Sequence, residues 1–257
     1  MIEALLQEAG IARTDAEILL ASLLKRDRSW LLAHRKENLT ESDARQWETW
    51  RSRRARGEPV AYITGTQEFF GRPFLVTPDV LIPRPATEGL VRLALDFLED
   101  PRDDERIVEP GIIAVARKLR DTQNVRTIAD IGTGSGCIAV TLALERQDLR
   151  IIATDVSEGA LAVARANAKR LGAADRIEFL LGDLLEPLSS LRDPFLLVSN
   201  PPYIAEGSED VEASVRQFEP HLAVFAGTEG TEIIARLTQQ AEKHPACAGI
   251  VLERRTV

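Results

Sequence analysis

Cysteine is nearly absent. Cys137 and Cys247 are the only two among 257 residues, and neither sits at metal-ligand spacing, which excludes a disulfide framework and predicts a reducing compartment. Histidine is equally sparse: His34, His221 and His244 fall in no ligand pattern, so each is expected as a surface or capping residue and no metal site is expected. No stretch approaches about 18 uninterrupted apolar residues, and Met1-Ile2-Glu3-Ala4 opens without a basic and then apolar leader; both point to a soluble, cytoplasmic protein with no membrane partner. Positive charge is in deficit as well. Lys+Arg 32 against Asp+Glu 40 gives a net charge of -8, which argues against a chain that grips naked nucleic acid by neutralising phosphates, so nucleic acid is disfavoured as a direct substrate. Neither a Gly-x-Ser-x-Gly elbow nor an internal repeat is found.

What is present divides the chain. Residues 1–57 are helical in pattern, with Ala16, Ile18, Leu19, Leu20, Leu23 and Leu24 forming an apolar face and Thr40-Glu41-Ser42-Asp43 set as a capping box. Trp47 and Trp50 lie three apart on the capped helix, a core spacing, while Arg45, Arg51, Arg53, Arg54 and Arg56 cluster on or near it as a solvated face able to meet an acidic partner. Gly57 and Pro59 end the block, and residues 58–86, with Tyr62-Ile63-Thr64-Gly65 and Phe69-Phe70-Gly71-Arg72-Pro73-Phe74, read as a linking β-hairpin. The third segment, 87–257, opens on a helix and continues through a charged loop near Glu99–Arg106 and a short helix near Ile112–Leu119. From Thr127 strands alternate with helices, the signature of an α/β, doubly wound, mostly parallel sheet with helices on both faces.

Asp130-Ile131-Gly132-Thr133-Gly134-Ser135-Gly136 joins the first of those strands to its helix. The glycines permit a sharp turn and close ligand approach. A dinucleotide fingerprint requires a third small residue where Cys137 stands, so the nicotinamide reading is disfavoured, and no Gly-Lys-Ser/Thr follows to make a phosphate loop. Asp155 stands just past the second strand, where a carboxylate accepts from ribose hydroxyls, and Gly182-Asp183-Leu184 follows the third, where Asp183 suits an adenine amino group and Leu184 the ring. Together they point to a nucleoside in the crevice at the strand ends.

Asn200-Pro201-Pro202-Tyr203 follows the apolar run Phe195–Ser199. An asparagine at a strand end, stiffened by two prolines, can offer its side-chain oxygen and a neighbouring carbonyl to one planar NH₂ group, either an amide or a base's exocyclic amine.

With these motifs the chain resembles class I S-adenosylmethionine-dependent methyltransferases, and more closely the protein-(glutamine-N5) methyltransferases of peptide chain release factors, the HemK/PrmC family. The likeness runs through Asp15–Leu20, Gly57–Ile63, Leu81-Ile82-Pro83-Arg84-Pro85-Ala86-Thr87-Glu88, the Asp130–Gly136 loop and Asn200–Tyr203. It implies a Rossmann-like methyltransferase sheet binding S-adenosylmethionine through Gly132, Thr133, Gly134, Ser135, Gly136, Asp155, Asp183, Leu184 and Asn200. It also implies a substrate glutamine amide held by Asn200, Pro201, Pro202 and Tyr203, with Asn200, Pro201 and Tyr203 the catalytic set. The helical segment 1–57 would recognise the release factor. The alternatives are glutamine methylation of a ribosomal protein, N-methylation of a base amine, or a non-catalytic truncated homologue.

The sequence departs from the family at three places. Ala86 replaces a common glutamate, and the stretch between Glu99 and Arg126 is long. Beyond Ile250-Val251-Leu252-Glu253 the family continues through a helix and an antiparallel hairpin, but this sequence stops at Val257. The expectation is a sheet lacking that C-terminal hairpin and exposing the 249–253 edge.

Overall fold

The computed structural model describes residues 1–122 and 125–256. Gln123 and Asn124, inside the long 99–126 segment, and Val257 lie outside the described residues. The chain forms two compact units, Met1–Thr66 with Val211–Phe218, and Gln67–Asp210 with Glu219–Val257.

The first unit is helical: α1 (Ile2–Gln7), α2 (Arg13–Leu24), α3 (Arg28–Ala33), α4 (Glu41–Ala55) and α5 (Val60–Thr64), joined by α9 (Ala213–Phe218) from far along the chain. Its core gathers Ile2, Leu6, Ala16, Leu19, Leu20, Leu31, Trp47 and Ile63. Of the apolar residues of α2, Ile18 departs from expectation and is exposed, because it falls one position off the i, i+3, i+4 stripe of Ala16, Leu19, Leu20 and Leu23. The N-cap half of the capping box forms, with Thr40 Oγ1 accepting from Asp43 N at 3.1 Å and satisfying one amide at the start of α4. Trp47 is core, and Trp50 packs against that core. Four of the five clustered arginines are already paired inside the unit: Arg45 with Glu41, Arg51 with Glu48, Arg53 with Glu58 and Arg54 with Asp15. The Tyr62–Thr64 run is helical rather than extended. Pro59 precedes α5 and Gly65 closes it in the left-handed region, the start and stop asymmetry of a helix.

In the second unit, β1 (Thr66–Phe69) and β2 (Arg72–Leu75) form a small hairpin, and α6 (Pro85–Glu99) follows. The main sheet contains β3 (Asp104–Glu109), β4 (Ile112–Lys118), β5 (Thr127–Ile131), β6 (Arg150–Asp155), β7 (Ile177–Leu181), β8 (Phe195–Ser199) and β9 (Cys247–Arg255), in the order β3-β4-β9-β8-β5-β6-β7. The strands from β9 to β7 are parallel. Both β5 and β8 are buried at all five positions, as strands covered on two faces must be. Helices α6, α7 (Cys137–Glu145) and α8 (Glu158–Leu171) contribute Leu90, Phe97, Ile138, Leu142 and Ala168 to one core, while α11 (Glu232–Lys243) supplies Leu237 and Ala241 to a second. The short α10 (His221–Val224) precedes α11. The architecture is therefore the doubly wound α/β class read from the sequence.

Two expectations fail at one edge. Residues Ile112–Lys118 are strand β4, not a helix, and the charged stretch before them contains strand β3. Between them Glu109-Pro110-Gly111-Ile112 is a tight turn with Gly111 at φ +80°, the left-handed position that a Pro-Gly turn requires. A different antiparallel hairpin, contributed from upstream of the parallel strands, thus occupies this edge. β4 pairs antiparallel with β9 from Lys118↔Gly249 to Ala114↔Glu253, so the 249–253 edge is covered and Glu253 is fully buried. The outermost strand is now β3, whose Asp104, Glu105 and Arg106 place charge along it, a common protection for an open edge.

Candidate active site

The sheet order reverses at β5: its chain successor β6 lies on one side and β8 on the other. Open α/β sheets bind ligands at the C-terminal ends of the strands beside such a switch. A cavity of ≈ 630 Å³ lies there, within the about 300–1,000 Å³ usual for small-molecule sites.

The β5–α7 loop forms one wall. Gly132 N and Thr133 N both donate to Thr154 O at 2.9 Å, tying the loop to the end of β6. Gly134 N donates to Asp155 Oδ2 at 2.9 Å, and Asp155 Oδ1 accepts from Ser157 N at 2.9 Å. Backbone amides take part of that carboxylate's acceptor capacity, and the rest is open to the cavity that Asp155 lines. Burial raises the Asp155 carboxyl above its usual range, opposed by the amides of Ser157, Gly134 and Val156. Gly132 and Gly134 have φ of +71° and +55°, and a Cβ added at either would meet no protein atom within 4 Å; the room beside them is what a closely approaching ligand requires. Gly136 differs. It does not line the cavity, and a Cβ there would come within 3.1 Å of Ala164 in α8, so it serves helix packing.

Behind the loop stands Asp130, fully buried. Its Oδ2 accepts from Thr133 Oγ1 at 2.7 Å and Ala139 N at 3.0 Å, and its Oδ1 has no partner among the described residues. Burial pushes the Asp130 carboxyl up to about 7. Burial also pushes the Cys137 thiol, on the cavity wall, up to about 12, too high for a thiolate nucleophile at neutral pH.

Gly182, Asp183 and Leu184 line the cavity after β7. Asp183 is ion-paired with Arg236 of α11. Leu184 holds φ +48°, a strained conformation for a branched side chain, braced where Thr154 Oγ1 donates to its carbonyl at 3.3 Å.

The β8 turn forms the other wall. Ser199 Oγ donates to Ile131 O at 2.6 Å, fixing the end of β8 against β5. Asn200 Nδ2 donates to Thr87 Oγ1 at 2.9 Å, which leaves Oδ1 as an acceptor. Asn200 and Pro202 line the cavity, whereas Pro201 is buried and Tyr203 is not part of this lining. The Tyr203 hydroxyl instead donates to Glu253 Oε1 at 3.0 Å, and burial together with that carboxylate raises its pKa.

Several lining residues carried no signal in the sequence: Asp79, Val156, Leu222, Phe225 and Ile233 reach the cavity from loops and helices. Arg84, ahead of α6, also lines it and is paired with the buried Glu219; the Ile-Pro-Arg-Pro segment was the only pointer. His221 lines the cavity and bonds Glu206 at 3.0 Å. His34 and His244 occupy helix C-cap positions, but His244 is buried and bonds Leu188 O at 3.0 Å.

Residues 1–65 match the family model described as the PrmC N-terminal domain, and residues 106–225 match the methyltransferase small domain. A protein of Koribacter versatilis named release factor glutamine methyltransferase is 42% identical over 234 residues, spanning 90% of this chain and 75% of its own. Its namesake in Bordetella pertussis is 39% identical over 237 residues, spanning 92% and 79%, and that of Bacillus cereus is 35% identical, spanning 91% and 76%. By its matched domains and by similarity along most of its length, this chain belongs to the release factor glutamine methyltransferase family.

Proposed function

We propose that the protein transfers a methyl group from S-adenosylmethionine to the side-chain amide nitrogen of the glutamine in the Gly-Gly-Gln motif of a peptide chain release factor. Three relatives carry the release factor glutamine name. The observation that carries the reading to the amide is the fixed Asn200, whose NH₂ is taken by Thr87 and whose oxygen is left to accept.

The residues suit the methyl donor. Gly132 and Gly134 leave room for close approach along a wall that Thr133 and Ser135 also line, with Gly136 packing the helix behind it. Asp155 has acceptor capacity for a ribose, and Asp183 and Leu184, which line the cavity, would meet the base. S-adenosylmethionine, when bound, supplies an electrophilic methyl group.

The protein's contribution is to make a poor nucleophile adequate. An amide nitrogen delocalises its lone pair into the carbonyl. Asn200 Oδ1 and the Pro201 carbonyl would accept its two N–H bonds, returning electron density to nitrogen and fixing the direction of the lone pair. Pro202 and Tyr203 would flank the flat amide. The methylated nitrogen sheds its proton readily, so no strong general base is needed. Residues 1–57 would bind the release factor, with 58–86 as the link and 87–257 as the catalytic segment. Among the described residues no helix is long and apolar enough to cross a membrane, and we place the activity in the cytoplasm, where release factors work.

Incubating the protein with methyl-labelled donor and purified release factor, then mapping the label by mass spectrometry, tests the reading. Label on the Gly-Gly-Gln glutamine is the expected result. Label only on a ribosomal-protein glutamine or on a nucleic acid base would overturn it.

A further inference from the structure

Glu253 is an unexpected residue at the end of a parallel strand. It is fully buried on β9, opposite Ala114 of the neighbouring β4, it is absent from the cavity wall, and the sequence marks it only as the end of an apolar strand. A buried carboxylate costs stability unless hydrogen bonds compensate it. Here only Oε1 has a bond of ordinary geometry, from Tyr203 at 3.0 Å, while Oε2 has no such partner among the described residues. Burial raises its pKa most, opposed by Thr87, Tyr203 and Asn200, in that chain of neighbours, with Asn200 the weakest. Thr87 and Asn200 lower it as neighbouring hydrogen-bonding groups.

These groups form a sequence with a direction. An ionised carboxylate only accepts, so a Thr87 hydroxyl facing it presents its proton. Thr87 Oγ1 is then left with its lone pairs, and it accepts from Asn200 Nδ2 at 2.9 Å. Once Nδ2 is held, Oδ1 is the atom left to accept, and Asn200 lines the cavity. The alternative rotamer, turned by 180° about the terminal torsion, would present NH₂ to a substrate NH₂, donor against donor.

We propose that Glu253 is a positioning residue that polarises the Thr87–Asn200 pair and thereby keeps the Asn200 oxygen, rather than its nitrogen, toward the substrate amide, while anchoring Tyr203 beside it. This rests on the amide-clamp reading above. It also gives the upstream hairpin a part in the site: β4 covers the strand that carries Glu253 and keeps water from that corner. The other charged groups reaching the corner are Glu109 of β3, which raises Glu253 and Tyr203, and Arg84, which lowers Tyr203.

The test uses E253Q, an isosteric change that can donate to Thr87 and so permit the reversed order. Expected is a fall in kcat on the order of 10²-fold, the scale of a misplaced reacting group. The cofactor Kd, the KM for release factor and the melting temperature should each stay close to wild type. At saturating cofactor, wild-type kcat should also fall in acid with a midpoint above the ordinary glutamate value of 4.5, because protonated Glu253 no longer dictates direction. That limb should vanish in E253Q although Asp130 and Asp155 are intact. Thr87→Val should resemble E253Q, and Thr87→Ser should recover at least about tenfold over it. Wild-type kcat with an unchanged acid limb in E253Q overturns the proposal, as does a parallel loss of cofactor binding and melting temperature. If E253Q does not fold, Thr87→Val at the wild-type rate overturns it. Asn200→Ala with retained turnover overturns the clamp reading and the relay together, whereas an inactive Asn200→Ala beside an active E253Q overturns the relay alone.

Discussion

The two turns that wall the cavity are built on opposite plans. After β5 the wall is backbone: amides of Gly132, Thr133 and Gly134 are tied to Thr154 and Asp155, and Asp130 braces the loop from behind. After β8 it is side chain: Asn200 is aimed by Thr87, and Tyr203 is held by Glu253. Backbone set by chain geometry tolerates change poorly but needs few neighbours, whereas a side-chain amide can point two ways and needs partners to choose one. The first plan suits holding a ligand, and the second suits selecting which atom faces the reacting group. The comparison predicts that substitutions in the two turns separate binding from turnover.

The largest effect falls on the β8 turn. Asn200→Ala should lower kcat by about 10²–10³-fold, the usual cost of removing one hydrogen-bonding group that acts in a transition state, with a much smaller loss in cofactor Kd by calorimetry. Equal losses in both quantities would erase the distinction between the turns. Next, Val115→Pro on β4, a strand paired on both sides, should cost roughly 3 kcal/mol or more by analogy with other interior prolines, and chemical denaturation would read it. Asp155→Ala should weaken cofactor binding by on the order of 10- to 100-fold, since bonds to a charged group are worth about 1.5–3 kcal/mol, while kcat at saturation holds.

Stability against pH sharpens the comparison from the other wall. Burial pushes the Asp130 carboxyl up to about 7, above the ordinary aspartate value of 3.8, so between those values the folded state holds the proton that the unfolded state has lost. Its contribution is complete below about pH 3.8 and is lost as pH rises toward 7. Asp130→Asn should lessen the downward slope of the melting profile, to which Asp155 and Glu253 also contribute; an unchanged slope would reject the assignment. Smallest of all, Gly111→Ala should cost about 1 kcal/mol through its positive φ, with little change in activity.

The parts legible in the sequence are those with local signals. Buried strands such as Thr127–Ile131 and Phe195–Ser199 are unbroken apolar runs, and the glycines of the β5 loop announce a turn. The edge hairpin hid behind its own protection: Asp104-Glu105-Arg106 reads as loop because an edge strand carries charge, and the short Ile112–Ala116 run is ambiguous between periods. Its one local signal is the Pro110-Gly111 turn. Tyr62–Thr64 misled because β-branched and aromatic content outweighed the flanking Pro59 and Gly65. The partners that orient the clamp were beyond reach altogether, since Thr87 lies 113 residues from Asn200 and Glu253 lies 50 from Tyr203. No local pattern reports such contacts.

The most direct measurement is a crystal structure of the protein with S-adenosylhomocysteine and a peptide bearing the Gly-Gly-Gln sequence. The account predicts the glutamine side-chain nitrogen within hydrogen-bonding distance of both Asn200 Oδ1 and the Pro201 carbonyl, with Asn200 Nδ2 still on Thr87. A glutamine held by other groups, with the Asn200 oxygen turned from it, would contradict the account.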